Sequence, residues 1–524
     1  MKHHAKQLCA IILALSMMIS LMILPATAAG YVAPTGTPAV TDTTYPTVSA
    51  YEEAAKATAA GTATTEQTEI MNSANYVIDT PADWVAMANL VNKVSVTSTS
   101  YNFQGKKIYM TDDLDMSAYS NLPCIAYSNA FLFYGSLDGQ GYTIDYVTMT
   151  NTTNNFFNGL FGFVAGVTIE NLVIGSNCVF TDAYASSKEW RGANTSLVAA
   201  VTGVTGYNAT TIRNVKSQAK LVSNANTTAT GGLVGIQVGG ELKIENSTFS
   251  GSITPSAGAN LVRVGGIAGL IHTITSFNAV NCVNEGTVTA RESGAWWTNS
   301  AGGIVGEAQK AVTIDNCVNK GVVTGAYAGG ILGTQVNTAG SVIKNCTHYV
   351  NHSTAATNTA TKVLGAQGTP SSAVLLEPAT PYVTETNNNV YDSTLISMNY
   401  QTTAAYSVEN KDGKYFSIRF IASGVDATYT NVGFKVTATS HDGKVWDLNT
   451  TKVYSSLSAT TPDGKTATAL EAEEGAYLMA LTLKNVPADT DITFVVQPYA
   501  TLADGSTVIL GAPYTTGTVN VASN

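Results

Sequence analysis

The stretch Gly302 to Gly333, GGIVGEAQKAVTIDNCVNKGVVTGAYAGGILG, begins again where it ends, and that repetition constrains the fold more than any other feature of the chain. Copies align on an asparagine: TIEN ending at Asn171, TIRN at Asn214, KIEN at Asn246, NAVN at Asn281, TIDN at Asn316 and VIKN at Asn345. The spacings are 43, 32, 35, 35 and 29 residues. Each unit also carries a Gly-Gly-apolar-apolar-Gly step, clean at Gly231 to Gly235, Gly265 to Gly269, Gly302 to Gly306 and Gly329 to Gly333. A shorter form, Gly159 to Gly162, opens the series, and worn copies stand at Ser196 to Ala200 and Lys362 to Gly365. A unit this small cannot bury its own apolar face, so it stacks on its neighbours as a solenoid.

The apolar runs are short, rich in Val, Ile and Thr, and broken by Gly. That pattern favours strands and leaves no room for helices of useful length. The expected fold is all-β, a right-handed parallel β-helix. Coils stacked about 4.8 Å apart put roughly seven of them into a rod on the order of 30 Å long. An Asn at one place in six consecutive coils forms a ladder that satisfies a buried turn, each amide donating to the one below and accepting from the one above. Cys282, Cys317 and Cys346 follow the last three asparagines, where Leu172, Val215 and Ser247 stand earlier, which reads as an inward column of small side chains.

In these motifs the sequence resembles the GLUG-motif repeat proteins of bacterial surfaces. FQGKKIYMTDDLDMS (Phe103 to Ser117), FYGSLDGQGYTIDYVTM (Phe133 to Met149) and NGLFG (Asn158 to Gly162) are similar to that family's opening segment in order and spacing. The resemblance covers roughly residues 75 to 365. It implies the architecture strongly and the activity weakly. Such repeats occur on adhesin-like proteins of unknown ligand and beside a metallopeptidase domain in IgA-cleaving proteins.

In chain order, Lys2 and Lys6 precede an apolar run from Leu8 to Leu24, and Ala26-Thr27-Ala28 supplies a small-x-small cleavage site. Residues 1–28 are therefore expected to be a secretory signal peptide, and the protein secreted or held at the cell wall. No later stretch is apolar enough to span a membrane. Val519 to Asn524 carries no sorting motif, apolar tail or basic run, so release or non-covalent retention is expected. Losing Lys2 and Lys6 takes the net charge from -10 to -12, which disfavours nucleic acid or anionic membrane as a partner. Five cysteines remain after Cys9, an odd number that argues against a disulfide framework. Stacked coils could bring two ladder cysteines within bridging distance, but their apolar company points to buried thiols.

Residues 29–75 are rich in Thr, Ala and Pro and read as a stalk with one short helical tract at Tyr51 to Ala60. Residues 76–158 read as a cap and the first strands. Thr80-Pro81-Ala82-Asp83 starts a helix over Pro81 to Asn92, with Trp84, Met87, Ala88 and Val91 on one face to cover the open end of the first coil. The repeats occupy 159–376, and 377–401 reads as a linker. In 402–524, apolar strands separated by Asp-Gly turns suit a C-terminal β-sandwich. Its order also resembles a module at the C-termini of secreted proteins of Gram-positive gut bacteria. Trp446, Tyr454, Tyr477 and Tyr499 read as core or strand residues of that module.

The zinc peptidase that the resemblance raises fails on inspection, because there is no HExxH. His348 and His352 have the i, i+4 spacing that joins ligands only on a helix, and they follow Asn345 in a strand context. Asp112-Asp113-Leu114-Asp115 has the carboxylates for a structural calcium or for sugar cleavage, but turn and strand-edge roles fit it better, as they do Asp138-Gly139-Gln140-Gly141. No cofactor, metal or catalytic residue is assigned. Two links before the Gly-Gly steps are long and aromatic, one carrying Trp190 and one Trp296 and Trp297. With Tyr327 they should project from one edge of the rod, where tryptophans in polar loops suit sugar stacking or protein docking, unless they fold back over the rod. The expected function is non-catalytic binding or adhesion to an extracellular glycan or surface protein. A β-helical polysaccharide lyase or glycoside hydrolase and a purely structural wall component are the alternatives.

Overall fold

The computed structural model describes residues 30–521 with breaks, the longer ones at 184–195, 256–262, 292–298, 351–362, 403–414, 424–431 and 451–476. The repeats form a right-handed parallel β-helix of about 7 turns. A representative coil runs through strands Ser276–Val280 and Val283–Asn284 on either side of Asn281, then Thr287–Thr289, Ser300–Gly302 and Val305–Ala308. Each strand pairs in parallel with its counterpart one coil away, as in Val280 with Asp315 or Gly265 with Gly302. Most strands of the coils are two to five residues long, as fits a sequence that Gly and Asn interrupt several times per coil, while Thr168–Ile174 and Thr210–Ser217 run on through the ladder asparagine. The core is a set of inward columns, such as Ile212, Ile244, Ala279, Ile314 and Ile343, all fully buried.

The Gly-Gly step forms the corner between the last two strands of a coil, and close approach explains it. A Cβ on Gly302 would lie 1.8 Å from the carbonyl oxygen of Val305, and one on Gly303 would lie 2.0 Å from that of Gly330 in the next coil. Corner and stacking therefore both depend on the missing side chain, while Ile267, Ile304 and Ile331 pack inward beside it.

The six asparagines stand in register on one turn, and each holds a left-handed backbone, φ +48° to +55°. Asn is among the few residues that tolerate this conformation, so it is chosen for the bend as well as for the amide. Asn214 Nδ2 donates to Asn171 Oδ1 at 2.8 Å, Asn281 to Asn246 at 3.0 Å and Asn316 to Asn281 at 2.6 Å. The ends pair with carboxylates: Asn171 donates to Asp138 and Asn345 to Asp315. This turn, expected to be buried, is on the outside of the rod and partly exposed. Asn281→Ala is expected to cost roughly 2–3 kcal/mol, the sum of a lost amide pair and a strained turn, and Asn281→Gly clearly less, because it keeps the bend. Denaturant melts of the two variants check this.

A second ladder lies inside the rod. Asn284 and Asn319 are fully buried, and Asn284 Nδ2 donates to Asn319 Oδ1 at 2.6 Å. Each also closes its own tight turn: Asn319 Oδ1 accepts from Gly321 N and its Nδ2 donates to Gly321 O. Replacing Asn319 with Leu leaves these buried backbone groups unpaired. A loss of about 2–4 kcal/mol is expected, larger than for the outer ladder, and is read from the same melts.

Cys282, Cys317 and Cys346 form the expected inward column, and all five described cysteines are free and buried. Burial pushes the Cys178 thiol up to about 12 and raises Cys317, whose neighbours Cys282 and Cys346 add to the effect. Neutral buried thiols are poor nucleophiles. Folded protein at pH 8 is thus expected to leave them unreacted with a thiol reagent, and denatured protein to titrate all five.

At the first coil, helix Pro81–Val91 buries Trp84, Met87, Ala88, Leu90 and Val91, and Trp84 packs 5.6 Å from Phe161. Asp83 anchors its start, accepting from Thr80 N at 3.0 Å and from Ser49 N at 2.9 Å. The stretch read as a stalk is instead part of the rod. Helix Val48–Ala60, with Val48, Tyr51, Ala54 and Ala55 buried, leads to helix Thr65–Asn72. Tyr51 packs against Tyr76 with the rings tilted and 4.6 Å apart, and meets Phe103 edge-on at 5.4 Å. Composition misled here because a few aromatic residues outweigh a long run of Thr and Ala.

The stretch read as a linker also differs. Val383–Thr386 adds a parallel strand beside Ser341–Lys344, extending the rod beyond residue 376. The C-terminal unit, described by itself, has two antiparallel sheets. One is Ser397–Thr402, Tyr415–Ser423 and Tyr477–Lys484; the other is built on Val432–Ser440 and Thr490–Thr501. Phe420 and Phe494 pack 5.6 Å apart, and Tyr499 is buried. This agrees with the expected sandwich. Tyr454 and the side chains of Trp446 and Tyr477 lie outside the described residues.

Candidate binding edge

Every coil crosses one corner between two strand stacks. Thr148–Asn151, Val179–Asp182, Lys220–Ser223, Ser252–Pro255, Thr287–Thr289 and Val323–Thr324 lie on one side. Phe157–Asn158, Ser196–Ala199, Thr227–Gly231, Arg263–Gly265, Ser300–Gly302 and Tyr327–Gly329 lie on the other. Both stacks are parallel and, apart from a bulge opposite Ser196 and Leu197, in register, so the links between them must leave and return along one edge. Trp190, Trp296 and Trp297 are on these links and lie outside the described residues. Tyr327 is described and half-buried. Its strand pairs Ser300 with Tyr327, and its N–H donates to Asn299 O at 3.3 Å, while Ala326 N–H donates to Arg291 O. Tyr327 thus stands one coil from the root of the link that carries Trp296 and Trp297.

The roots of the links are polar and buried. Asp182 pairs in register with Asn151, and both are nearly inaccessible. Asn158 Nδ2 donates to Thr181 O at 3.0 Å, tying the two stacks together across the corner. In the first coil the same corner holds a cavity of about 240 Å³, bordered by Asn121, Cys124, Met149, Asn151, Phe157 and Asn158 among others. A space of this size suits a group no larger than one sugar ring, below the usual range for drug-sized ligands.

Beyond the corner, a separate apolar cluster of Phe163, Val204, Ala229, Ile236 and Leu270 is buried, with Phe157 packed against it. It continues into an ion pair: Arg263 Nε lies 3.0 Å from Glu307 Oε2, the Glu307 side chain is fully buried, and Gln309 Nε2 donates to its other oxygen at 2.6 Å. Neither this pair nor the inner asparagines was foreseen. The only sequence signals were a lone Glu after a Gly-Gly step and the Val-Asn-x-Gly at Val283 and Val318.

The acidic candidates are engaged in turns. Asp113 Oδ1 accepts from Thr143 N–H at 2.6 Å and Asp112 Oδ1 from Asp113 N–H. Asp115 accepts from Ser117, whose side-chain and backbone donors hold its carboxyl below the usual range. Asp138 serves Gln140 N–H, Lys107 and the end of the Asn ladder. His348 is buried in strand Thr347–Val350, and His352 lies outside the described residues. Among the described residues no three His, Cys, Asp or Glu side chains are arranged to hold a metal ion, and no helix is long and apolar enough to cross a membrane. Comparison with family profiles, curated proteins and solved structures finds no significant match to this chain.

Proposed function

We propose that this is a secreted or surface-associated protein that binds extracellular glycan or a surface protein without catalysing a reaction, and that it belongs with the GLUG-motif repeat proteins. The observation that carries the reading is the single edge on which a rigid, in-register rod gathers links of very different length. Rods with one variable edge are built for contact, because a link can change without disturbing the columns that hold the coils together. Two of those links contribute tryptophans, and their roots are fixed by buried polar groups. The corner glycines support the family reading, since each is required by close approach and not by drift in sequence.

The enzymatic reading needs a carboxylate pair free to reach a sugar. Asp112, Asp113 and Asp115 instead accept from neighbouring backbone N–H groups. Incubation of the protein with pectins, alginates and mucin glycans, beside a glycan-array screen, tests the proposal. Array binding with no product formed is the expected result. Product formation abolished by Asp113→Asn or Asp115→Asn would overturn it in favour of a lyase or hydrolase.

A further inference from the structure

The first described residues do not leave the rod but run along it, across coils, over the turn that carries the asparagines. Gly30 N–H donates to Asn281 O, Tyr31 N–H to Thr248 Oγ1 at 2.8 Å and Val32 N–H to Asn214 Oδ1 at 2.9 Å. Pro34 lies against Gly141, and Val40 exchanges two hydrogen bonds with the Gln140 amide, Oε1 accepting at 3.0 Å and Nε2 donating at 2.8 Å. The outer ladder is interrupted where this strap docks, since Asn214 Oδ1 takes the Val32 N–H in place of the Asn246 amide.

The upper end of the groove selects glycine. Gly30 has φ +59° and is buried, and a Cβ there would lie 2.4 Å from Thr248 Oγ1 and 2.9 Å from a Val283 methyl. The groove also extends beyond the strap's last described contact. One coil past Asn281, Asn316 Oδ1 is buried with no hydrogen-bond partner among the described residues. The strap itself is held by backbone donors at its two ends, with residues 32–37 exposed between them and an exposed turn at Thr41 to Thr44 after it. Such a segment can detach without disturbing the coils.

We propose that this axial groove is a peptide-recognition site for an extended segment with glycine between Thr248 and Val283. Its ligand is the chain's own Gly30–Val40 strap, docked in cis here and exchangeable with the strap of a second copy. Backbone donors supply the affinity and the glycine seat the selectivity, as in other sites that read an extended chain by its main-chain groups.

The test uses the full chain and a labelled peptide of residues 29–42. Gly30→Val should expel the strap and leave a folded rod that binds the peptide at least tenfold tighter than the wild type, whose groove is filled. A peptide carrying the same Gly30→Val change should not bind, and Asn214→Ala in the Gly30→Val chain should weaken binding several-fold. Should Gly30→Val misfold, Val32→Pro, at an exposed position, removes one strap bond and should also raise peptide binding over the wild type. Equal binding to wild type and variants, or binding to none of them, would overturn the proposal.

Discussion

Gly303→Val is expected to destabilise the rod by roughly 3–5 kcal/mol, more than any substitution on its surface. The new side chain would meet the Gly330 carbonyl in the next coil and the Asn319 side chain, at 2.0 Å and 2.5 Å from its Cβ alone. Backbone oxygens in a stacked coil cannot swing aside as a flexible side chain can, so relief requires the coils to part. Parting them breaks the bonds that Gly303 N–H and Ile304 N–H make to Gly329 O and Ile331 O. Chemical denaturation of Gly303→Val beside Ala295→Val, on a link, measures the difference. Equal stability would mean that the glycine step serves something other than close stacking.

Arg263→Met is expected to cost about 3–5 kcal/mol, because it strands the Glu307 carboxylate in a fully buried place. The double variant Arg263→Met, Glu307→Leu should recover most of the loss, since Leu continues the column that Leu270 already occupies in register. The comparison separates two accounts of the pair. Recovery means that the single variant suffers from an unpaired charge, whereas a double variant as unstable as the single one would mean that the ion pair itself holds this face.

The repeat was legible because its causes are local. A left-handed turn needs Asn, a corner within 2 Å of a carbonyl needs Gly, and both recur once per coil in the sequence as in space. The strap was not legible, since Tyr31 and Val32 dock through backbone N–H groups onto residues 217 and 182 positions away, and main-chain donors leave no residue pattern. The inner ladder was hidden by its shortness: Phe249 holds the position of Asn284 and Asn319 one coil earlier, so only two coils share the amide. Arg263 and Glu307 escaped notice for a related reason, because a pairing between neighbouring coils is specified by register and not by sequence distance. Of the binding edge, the sequence indicated the links and their tryptophans, and the parallel register explains why those links share a side.

The claim that this edge holds the ligand is tested most directly by a Trp296→Ala, Trp297→Ala double variant, measured for melting temperature and for affinity to a glycan or protein identified in the array screen. A ring stacked on a sugar contributes on the order of 1–2 kcal/mol, so affinity should fall roughly tenfold or more while the melting temperature stays close to that of the parent. Unchanged affinity would place the site elsewhere, and a large fall in melting temperature would show that the two rings cover the rod and do not face a ligand.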